Sequence, residues 1–175
     1  MKKPIDNPSW NLYLDQVCSF AYWQKVFTKE ECDKIIKIAH AKGLMQGMTR
    51  KNKVDNIRSS KICWLYANDD LDWVFRLNEG FQFTNYKAPG DKYGKHIDRS
   101  QNMIVRKLSL SIQLTDPKEY EGGELYIYEG DKGEKMKQGQ GDLILFPSYM
   151  LHEVKPVTKG ERNSLVCWVT GKQFK

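Results

Sequence analysis

The chain has 175 residues, of which 40% are hydrophobic and 29% charged, and its formal net charge is +6. This length fits one domain over residues 1–175 with a core of its own, and the composition is typical of a soluble globular protein. No apolar run reaches the ~18–20 residues that a membrane span needs. No apolar segment follows the basic residues near Met1, so the sequence predicts a cytoplasmic protein without membrane contact.

The charge and the cysteines set only broad bounds on partners. A net charge of +6 serves solubility, and it would also suit an acidic partner such as nucleic acid. Cys18, Cys32, Cys63 and Cys167 are widely spaced without a C-x-x-C pair, which argues against a zinc ribbon or a thioredoxin motif. We expect Cys63 and Cys167, which lie in apolar runs, to be small buried hydrophobic residues.

One helix is clearly signalled near the start of the chain. Residues 1–27 are rich in aromatic side chains, and we expect a short helix or strand there at the edge of the domain. Thr28 and Glu31 form a capping box, and an apolar stripe at helical spacing runs from there to Gly43. This pattern predicts a helix over 29–42, in whose last turn His40 would be exposed.

The next segment predicts a loop between two short elements. Residues 45–57 are polar and basic without periodicity, which is typical of a long mobile loop. We expect this loop to close over a substrate. Ser60–Tyr66 is a strand candidate, and a short helix is expected over 69–78.

From Phe81 onward the pattern changes to short strands separated by turn residues. Leu108–Leu114 alternates strictly with period 2, which predicts a half-buried strand. The predicted strands are Phe81–Tyr86, Leu108–Leu114, Glu124–Glu129, Asp142–Phe146 and Leu165–Thr170, with a hairpin turn over Gly130–Gly133. The chain is therefore mainly β with flanking helices, and an eight-stranded jelly roll, or double-stranded β-helix, fits it best.

His96 and Asp98 are the first residues with a chemical signal. Residues two apart in a strand point to the same side, so both can bind one ion. Alone, the pair could equally be hydrogen-bonded to each other. Of the three histidines in the chain, His40 falls on a peripheral helix, which leaves His152 as the third ligand. Two histidines and one carboxylate are the ligand set of non-haem Fe(II) oxygenases.

An anion-binding candidate follows the second histidine. Arg162 and Ser164 come ten and twelve residues after His152, at the entry to the last strand. A guanidinium binds a carboxylate with two parallel hydrogen bonds, and a serine facing the same way adds a hydroxyl donor. By itself an arginine near the start of a strand is more often a surface charge. Placed after the second histidine, Arg162 becomes a candidate for binding the far carboxylate of 2-oxoglutarate.

Ordered motifs run through residues 81–171, just over half of the chain. They are Asn85-Tyr86-x-x-x-Gly90-x-x-Tyr93-x-x-His96-x-Asp98, Arg106-Lys-Leu-Ser-Leu-Ser, Tyr120-Glu-Gly-Gly-Glu-Leu, Gly141-Asp-Leu-Ile-Leu-Phe-Pro-Ser, Leu151-His152-Glu-Val-x-Pro156-Val and Gly160-x-Arg162-x-Ser164. In this order and spacing they resemble the catalytic half of the prolyl 4-hydroxylase-like oxygenases, which depend on Fe(II) and 2-oxoglutarate. Upstream, Asp55-Asn-Ile57-Arg58-x-x-Lys61-Ile62-x-Trp64 resembles the strand after the mobile substrate loop of oxygen-sensing prolyl hydroxylases.

The resemblance implies an activity and a role for each matched residue. Residues 81–171 would form the catalytic jelly roll, and residues 1–80 an N-terminal helical support region with the substrate loop. The enzyme would hydroxylate a C–H bond, preferentially of a prolyl residue in a peptide or protein, and convert 2-oxoglutarate to succinate. Its cofactors would be Fe(II), 2-oxoglutarate and O2, with ascorbate as a candidate reductant. The carried-over residues are His96, Asp98 and His152 for iron and catalysis, Arg162, Ser164 and Tyr86 for 2-oxoglutarate, and Tyr93, Arg58, Arg106 and Trp168 for the peptide.

Two departures and two rival functions remain at this level. The oxygen-sensing enzymes have a tyrosine on the 2-oxoglutarate carboxylate where this chain has Gln113, and the collagen-type enzymes have lysine in place of Arg162. A nucleic-acid dealkylase on the same scaffold would suit the net charge, but that class has a second arginine where this chain has Trp168. A non-catalytic jelly-roll binding module would not need both the metal ligands and Arg162.

Overall fold

The computed structural model describes residues 19–48, 56–66, 70–71, 80–98 and 105–172. Residues 69 and 72–78 of the helix predicted over 69–78, residues 49–55 of the predicted loop, and Cys18 lie outside these ranges. In the described parts of the chain there are one α-helix and twelve β-strands. No helix there has the length and apolarity that a membrane span requires.

Helix α1 spans Lys29–Lys42, which confirms the sequence prediction. The Thr28 side chain accepts a hydrogen bond from the backbone N–H of Glu31, and the Glu31 carboxylate accepts one from the backbone N–H of Thr28. Gly43 ends the helix at a φ of 95°, where a residue without Cβ is favoured. Cys32, Ile35 and Ala39 form the buried stripe, and His40 is exposed as expected.

The strands form two antiparallel sheets. In chain order they are β1 (Ala21–Trp23), β2 (Met45–Gln46), β3 (Lys61–Leu65), β4 (Phe81–Lys87), β5 (Tyr93–His96), β6 (Val105–Gln113), β7 (Tyr120–Gly122), β8 (Leu125–Glu129), β9 (Lys132–Lys135), β10 (Leu143–Pro147), β11 (Leu151–Val154) and β12 (Val157–Gly171). The larger sheet has the order β1-β10-β6-β12-β4-β3-β2, with β7 paired to the start of β12. The smaller sheet has the order β5-β11-β8-β9. This arrangement confirms a mainly β jelly roll.

The period-2 alternation of the strands divides their side chains between two cores. On the outer face of the larger sheet, Phe83 of β4 and Leu165 of β12 pack with the buried stripe of α1. On the inner face, Tyr86 of β4, Phe146 of β10 and Ile127 of β8 belong to a second core cluster between the two sheets. On β4, β6 and β12 the candidate functional side chains lie on this inner face, because they alternate with residues of the helix-covered core.

Three details differ from the sequence expectation. Met45 and Gln46 form a strand on the edge of β3, although the sequence predicts that the loop begins there. β6 is buried on both sides from Ser111 to Gln113 instead of half-buried, because α1 covers one face and the second sheet the other. β12 starts eight residues before the predicted Leu165, because its charged first half pairs with β7 and β4.

Gly141 joins the N-terminal segment to the jelly roll. Its carbonyl accepts a hydrogen bond from the backbone N–H of Phe27, and its own N–H donates to the Gln113 carbonyl. Its φ is +82°, and a Cβ at this position would lie 1.9 Å from the Phe27 carbonyl oxygen. The close approach of these backbones therefore requires glycine.

We expect Gly141→Ala to lower the free energy of unfolding substantially, as measured by urea denaturation. The matched control is Gly130→Ala, since Gly130 has a similar positive φ of +69° but a Cβ there would have no other atom within 4 Å. The control carries only the backbone cost of about 1–2 kcal/mol. Gly141→Ala adds the clash with Phe27, on the order of 1–3 kcal/mol more. Equal losses in the two variants would contradict the proposed role of this contact.

Candidate metal centre and anion pocket

Backbone pairing brings the two distant histidines together. β5 and β11 are neighbours in the smaller sheet, and His152 lies directly opposite His96 in their register. The ring centroids of the two histidines are 4.1 Å apart. This pairing explains how residues fifty-six positions apart in the sequence can share a site.

Asp98 completes the cluster from just beyond the end of β5. Its backbone N–H donates to the Ser148 carbonyl, at 2.9 Å, which turns the chain back towards β11. Nε2 of His96 lies 3.8 Å from Oδ1 of Asp98, and Nε2 of His152 lies 3.6 Å from Oδ2. One ligand atom from each residue falls within 4.8 Å of the others, a spacing that allows a single ion to contact all three.

Hydrogen bonds at Nδ1 orient both imidazoles for metal binding. Nδ1 of His96 lies 2.7 Å from the Gly94 carbonyl oxygen, and Nδ1 of His152 lies 2.9 Å from that of Met150. A carbonyl only accepts, so the proton sits on Nδ1 and the lone pair of each Nε2 faces the cluster. Burial and the neighbouring charge of His152 lower the pKa of His96, which favours the neutral imidazole that a metal requires.

The second carboxylate oxygen of Asp98 is held by two donors. Oδ2 accepts hydrogen bonds from the Ser109 hydroxyl at 2.6 Å and from the Trp168 indole N–H at 2.8 Å. The Ser109 hydroxyl also lies 2.9 Å from that of Ser148. An oxygen with two lone pairs is thereby fully used, which leaves Oδ1 as the freer ligand atom.

These contacts keep Asp98 ionised. Burial alone would raise the pKa of Asp98, because it disfavours the charged form. The charges of His152 and His96 and the hydrogen bonds from Ser109 and Trp168 outweigh this effect, so the pKa lies below its ordinary value. The carboxylate is therefore ready to bind a cation at neutral pH.

Tyr93 and Arg58 form a stack beside the first histidine. The rings of Tyr93 and His96 are stacked with their centroids 3.5 Å apart. The Arg58 guanidinium lies 4.6 Å from the Tyr93 ring centroid and donates hydrogen bonds to Ser60 and Gln82. Arg58 is only 6% exposed and lines the pocket, so it is not a surface charge.

Trp168 has a similar two-sided position beside Asp98. Its ring lies 3.5 Å from the guanidinium carbon of Arg106 and 6.1 Å from the ring of Trp64, and its N–H reaches the Asp98 carboxylate. Only 4% of Trp168 is exposed. The residues expected to face a substrate thus also contact the metal cluster.

Arg162 is a buried cation on β12. It is 1% exposed, and among the described residues its hydrogen-bond partners are the neutral side chains of Ser164 and Gln138. Tyr86, directly opposite in the β4–β12 register, faces the guanidinium at 5.5 Å. A buried cation among neutral groups is costly, so the arrangement is suited to receive an anion.

One cavity contains all the residues predicted for the site except Arg106. Its polar lining is Arg58, Gln82, Thr84, Tyr86, Tyr93, His96, Asp98, Ser111, His152, Arg162, Ser164 and Trp168, and its apolar lining is Leu110, Leu125, Phe146, Val154 and Val166. Apolar walls with a few converging polar groups are typical of sites for small ligands. Arg106 reaches this cavity through its stack on Trp168.

Sequence reasoning did not identify several residues that support the site. Ser109 and Thr84 could have been found, because each alternates with core residues on a strand that faces the pocket. Gln138 lies in an irregular segment and Ser148 in a turn, and no local sequence signal indicates that they contact Arg162 and the Asp98 backbone. The sequence indicates only a turn at Gly123, but a Cβ there would lie 3.0 Å from Cδ of Arg162.

The fold and the cluster together define a class: a jelly roll with two histidines and an aspartate in the lining of one pocket. The matching family model is described as the 2OG-Fe(II) oxygenase superfamily and covers residues 81–170, just over half of the chain. The chain belongs to this superfamily.

Several PKHD-type hydroxylases are similar to this chain in sequence. A PKHD-type hydroxylase of Idiomarina loihiensis is 40% identical over 86 residues, covering 49% of this chain and 39% of that protein. A PKHD-type hydroxylase of Prochlorococcus marinus is 36% identical over 126 residues, covering 70% of this chain and 57% of that protein. The chain thus spans about half the length of the curated relatives it matches.

Solved structures agree on the fold. A Trichoplax adhaerens prolyl hydroxylase in complex with a hypoxia inducible factor peptide fragment has a TM-score of 0.69 at 20% identity, covering 86% of this chain and 82% of that one. The viral collagen prolyl hydroxylase of Paramecium Bursaria Chlorella virus-1 has a TM-score of 0.67 at 22% identity, covering 91% of this chain and 99% of that one. At these identities the likeness concerns the fold.

We expect Trp168→Phe to weaken the binding of Mn(II), used as a redox-stable probe, about 10–100-fold in calorimetric titration. The substitution keeps an aromatic ring but removes the N–H that holds Asp98. Trp64→Phe is the matched control, because it changes a neighbouring indole that has no hydrogen bond to the carboxylate. Unchanged Mn(II) affinity in Trp168→Phe, with normal binding in the control, would argue that Ser109 alone suffices.

Proposed function

We propose that this chain is an oxygenase that uses Fe(II), 2-oxoglutarate and O2 to hydroxylate a prolyl residue in a peptide or protein. The observation that carries the proposal is the common cavity of the His96–Asp98–His152 cluster and the buried Arg162. A candidate cation site and a candidate anion site that line the same cavity suit a ligand that chelates a metal at one end and has a carboxylate at the other. 2-Oxoglutarate has this chemistry.

The donor set fits the metal. Two neutral imidazoles and one carboxylate are the ligands that non-haem Fe(II) enzymes use, with further positions left for cosubstrate and O2. His96, Asp98 and His152 would hold the iron, and Arg162 and Ser164, with Tyr86 beside them, would hold the far carboxylate of 2-oxoglutarate. When bound, the iron supplies the oxidative chemistry, in which a C–H bond becomes C–OH while 2-oxoglutarate and O2 give succinate and CO2.

The protein would orient the metal ligands, supply charged groups and exclude water from the site. The Gly94 and Met150 carbonyls keep the lone pair of each Nε2 aimed at the metal. Trp168 and Ser109 keep the Asp98 carboxylate in place. The apolar side chains of the cavity, among them Leu125 and Phe146, exclude water, which strengthens the electrostatic contacts made inside.

A prolyl peptide is the substrate that the surroundings support best. Two of the similar structures are named as prolyl hydroxylases, and one of these holds a peptide fragment. In this chain the aromatic rings of Tyr93 and Trp168 flank the metal cluster, and a pyrrolidine ring packs well on such surfaces. Arg58 and Arg106, stacked on these two rings, would contact the peptide backbone or its side chains.

We infer further that residues 1–175 act as one oxygenase domain. The helix α1 packs on the catalytic sheet, and β1 pairs with β10 and β3 with β4. The support region and the catalytic strands thus share one sheet and one core, so neither would keep its packing alone.

The test is a coupled assay of 2-oxoglutarate turnover and product mass. With Fe(II), ascorbate as reductant and proline-containing peptides, we expect release of succinate and a +16 Da peptide product, and loss of both on removal of iron with a chelator. His96→Ala should abolish the activity, whereas His40→Ala should retain it, because His40 lies on the outside of α1. Absence of succinate release under all conditions, even without a peptide, would refute the enzyme assignment.

Arg162→Met separates the anion site from the metal site. The variant should bind Mn(II) normally but bind 2-oxoglutarate at least about 10-fold more weakly, because a charge-assisted contact is worth roughly 1.5–3 kcal/mol. Lys159→Met is the matched control, since Lys159 is an exposed cation on the same strand. If both variants bind 2-oxoglutarate like the wild type, the cosubstrate is not held by Arg162.

A further inference from the structure

Thr84 has a buried hydroxyl without a partner. The residue is 1% exposed, and its Oγ1 has no hydrogen-bond partner among the described residues. The side chain lines the cavity that contains the metal cluster and Arg162. A buried hydroxyl left unpaired costs about 1–3 kcal/mol, so such a group in a native structure calls for an explanation, of which a bound ligand, ion or water is one.

The register of β4 and β12 places this hydroxyl at the anion site. Thr84 lies directly opposite Ser164, and the neighbouring pair on the same face is Tyr86 opposite Arg162. Ser164 Oγ is 3.5 Å from Nη1 of Arg162. These four residues therefore lie next to one another on the same face of the sheet.

Two other buried atoms lack partners among the described residues, and neither can take the same role. Oε1 of Gln113 only accepts hydrogen bonds, so it would repel a carboxylate, and the Nε2 of this residue donates to Thr115 and Tyr120. Nε2 of Gln138 belongs to a side chain that contacts Arg162 from outside the cavity lining. Thr84 is the unpaired donor that faces the cavity.

We propose that the Thr84 hydroxyl donates a hydrogen bond to the far carboxylate of 2-oxoglutarate and is a specificity-determining residue for this cosubstrate. The inference rests on the proposed function. Gln113 occupies the position where the resemblance places a tyrosine donor, and its amide is committed elsewhere. The Thr84 hydroxyl on β4 supplies the neutral donor that Gln113 does not. With Arg162 and Ser164 it would form the group of hydrogen-bond donors to the carboxylate.

The test compares Thr84→Val with Thr84→Ser in the Mn(II)-loaded protein, by calorimetric titration with 2-oxoglutarate. Valine has nearly the same shape without the hydroxyl, and serine keeps the hydroxyl. We expect the affinity to fall roughly 10–100-fold in Thr84→Val, in line with a hydrogen bond to a charged group, and to stay within about threefold in Thr84→Ser. An unchanged affinity in Thr84→Val would overturn the proposal.

Thermal unfolding of the ligand-free variants excludes a merely structural role. Because the hydroxyl is unsatisfied without ligand, Thr84→Val should be as stable as the wild type or more stable, although it binds less well. A loss of stability in Thr84→Val that parallels the loss of affinity would show that the hydroxyl supports the fold, which would also overturn the proposal.

A truncated ligand locates the contact. 2-Oxopentanoate has five carbons like 2-oxoglutarate but lacks the far carboxylate. Its affinity, measured by competition with 2-oxoglutarate, should therefore be the same in Thr84→Val as in the wild type. Equal penalties for both ligands would place the hydroxyl elsewhere and refute the assignment. Failure of the wild type to bind 2-oxoglutarate with Mn(II) would overturn the proposed function and this inference together, whereas normal binding by both wild type and Thr84→Val would overturn this inference alone.

Discussion

The pairing of β5 with β11 is the constraint on which the candidate centre depends. His96 and His152 are opposite each other in this register, and their side chains point into the space between the sheets. A shift of one residue would turn either histidine to the other face of the sheet, because strand side chains alternate. The register changes between His152 and Val154, and irregularities of this kind are frequent beside active sites because they re-aim side chains.

The cavity also buries two opposite charges, those of Asp98 and Arg162. Asp98 is stabilised by donors from Ser109 and Trp168, so its charge is compensated before any ligand arrives. Arg162 has neutral partners and relies on an incoming anion for full compensation. The proposed ligand, with a carboxylate at one end, would supply this compensation, and a neutral ligand of the same size would not.

Much of this architecture could be predicted from local patterns. The capping box of Thr28 and Glu31 and the stop at Gly43 predicted α1, and strand and turn signals predicted six of the twelve strands among the described residues. The ligand candidates followed from the H-x-D spacing and the small number of histidines. These features are local or compositional, so no knowledge of the packing was needed.

The remaining features depend on tertiary register, which one sequence does not encode locally. The charged stretch before Arg162 was not predicted as strand, and it is strand because it pairs with β7 and β4. Nothing in the segment around Ser148 indicates that its carbonyl anchors the backbone of Asp98. The resemblance implies that Trp168 faces a substrate, and only the structure shows that its N–H is committed to Asp98.

The two stacked arginines are connected to the candidate metal ligands through one aromatic ring each. Arg58 packs on Tyr93, which stacks on His96, and Arg106 packs on Trp168, which donates to Asp98. An acidic or carbonyl group that drew either guanidinium away would remove a packing partner from a ring that touches a ligand. Packed interiors transmit such displacements because they contain few voids. If these four side chains bind the substrate as proposed, the same contacts also reach His96 and Asp98, so metal-binding and substrate-binding residues form one packed unit.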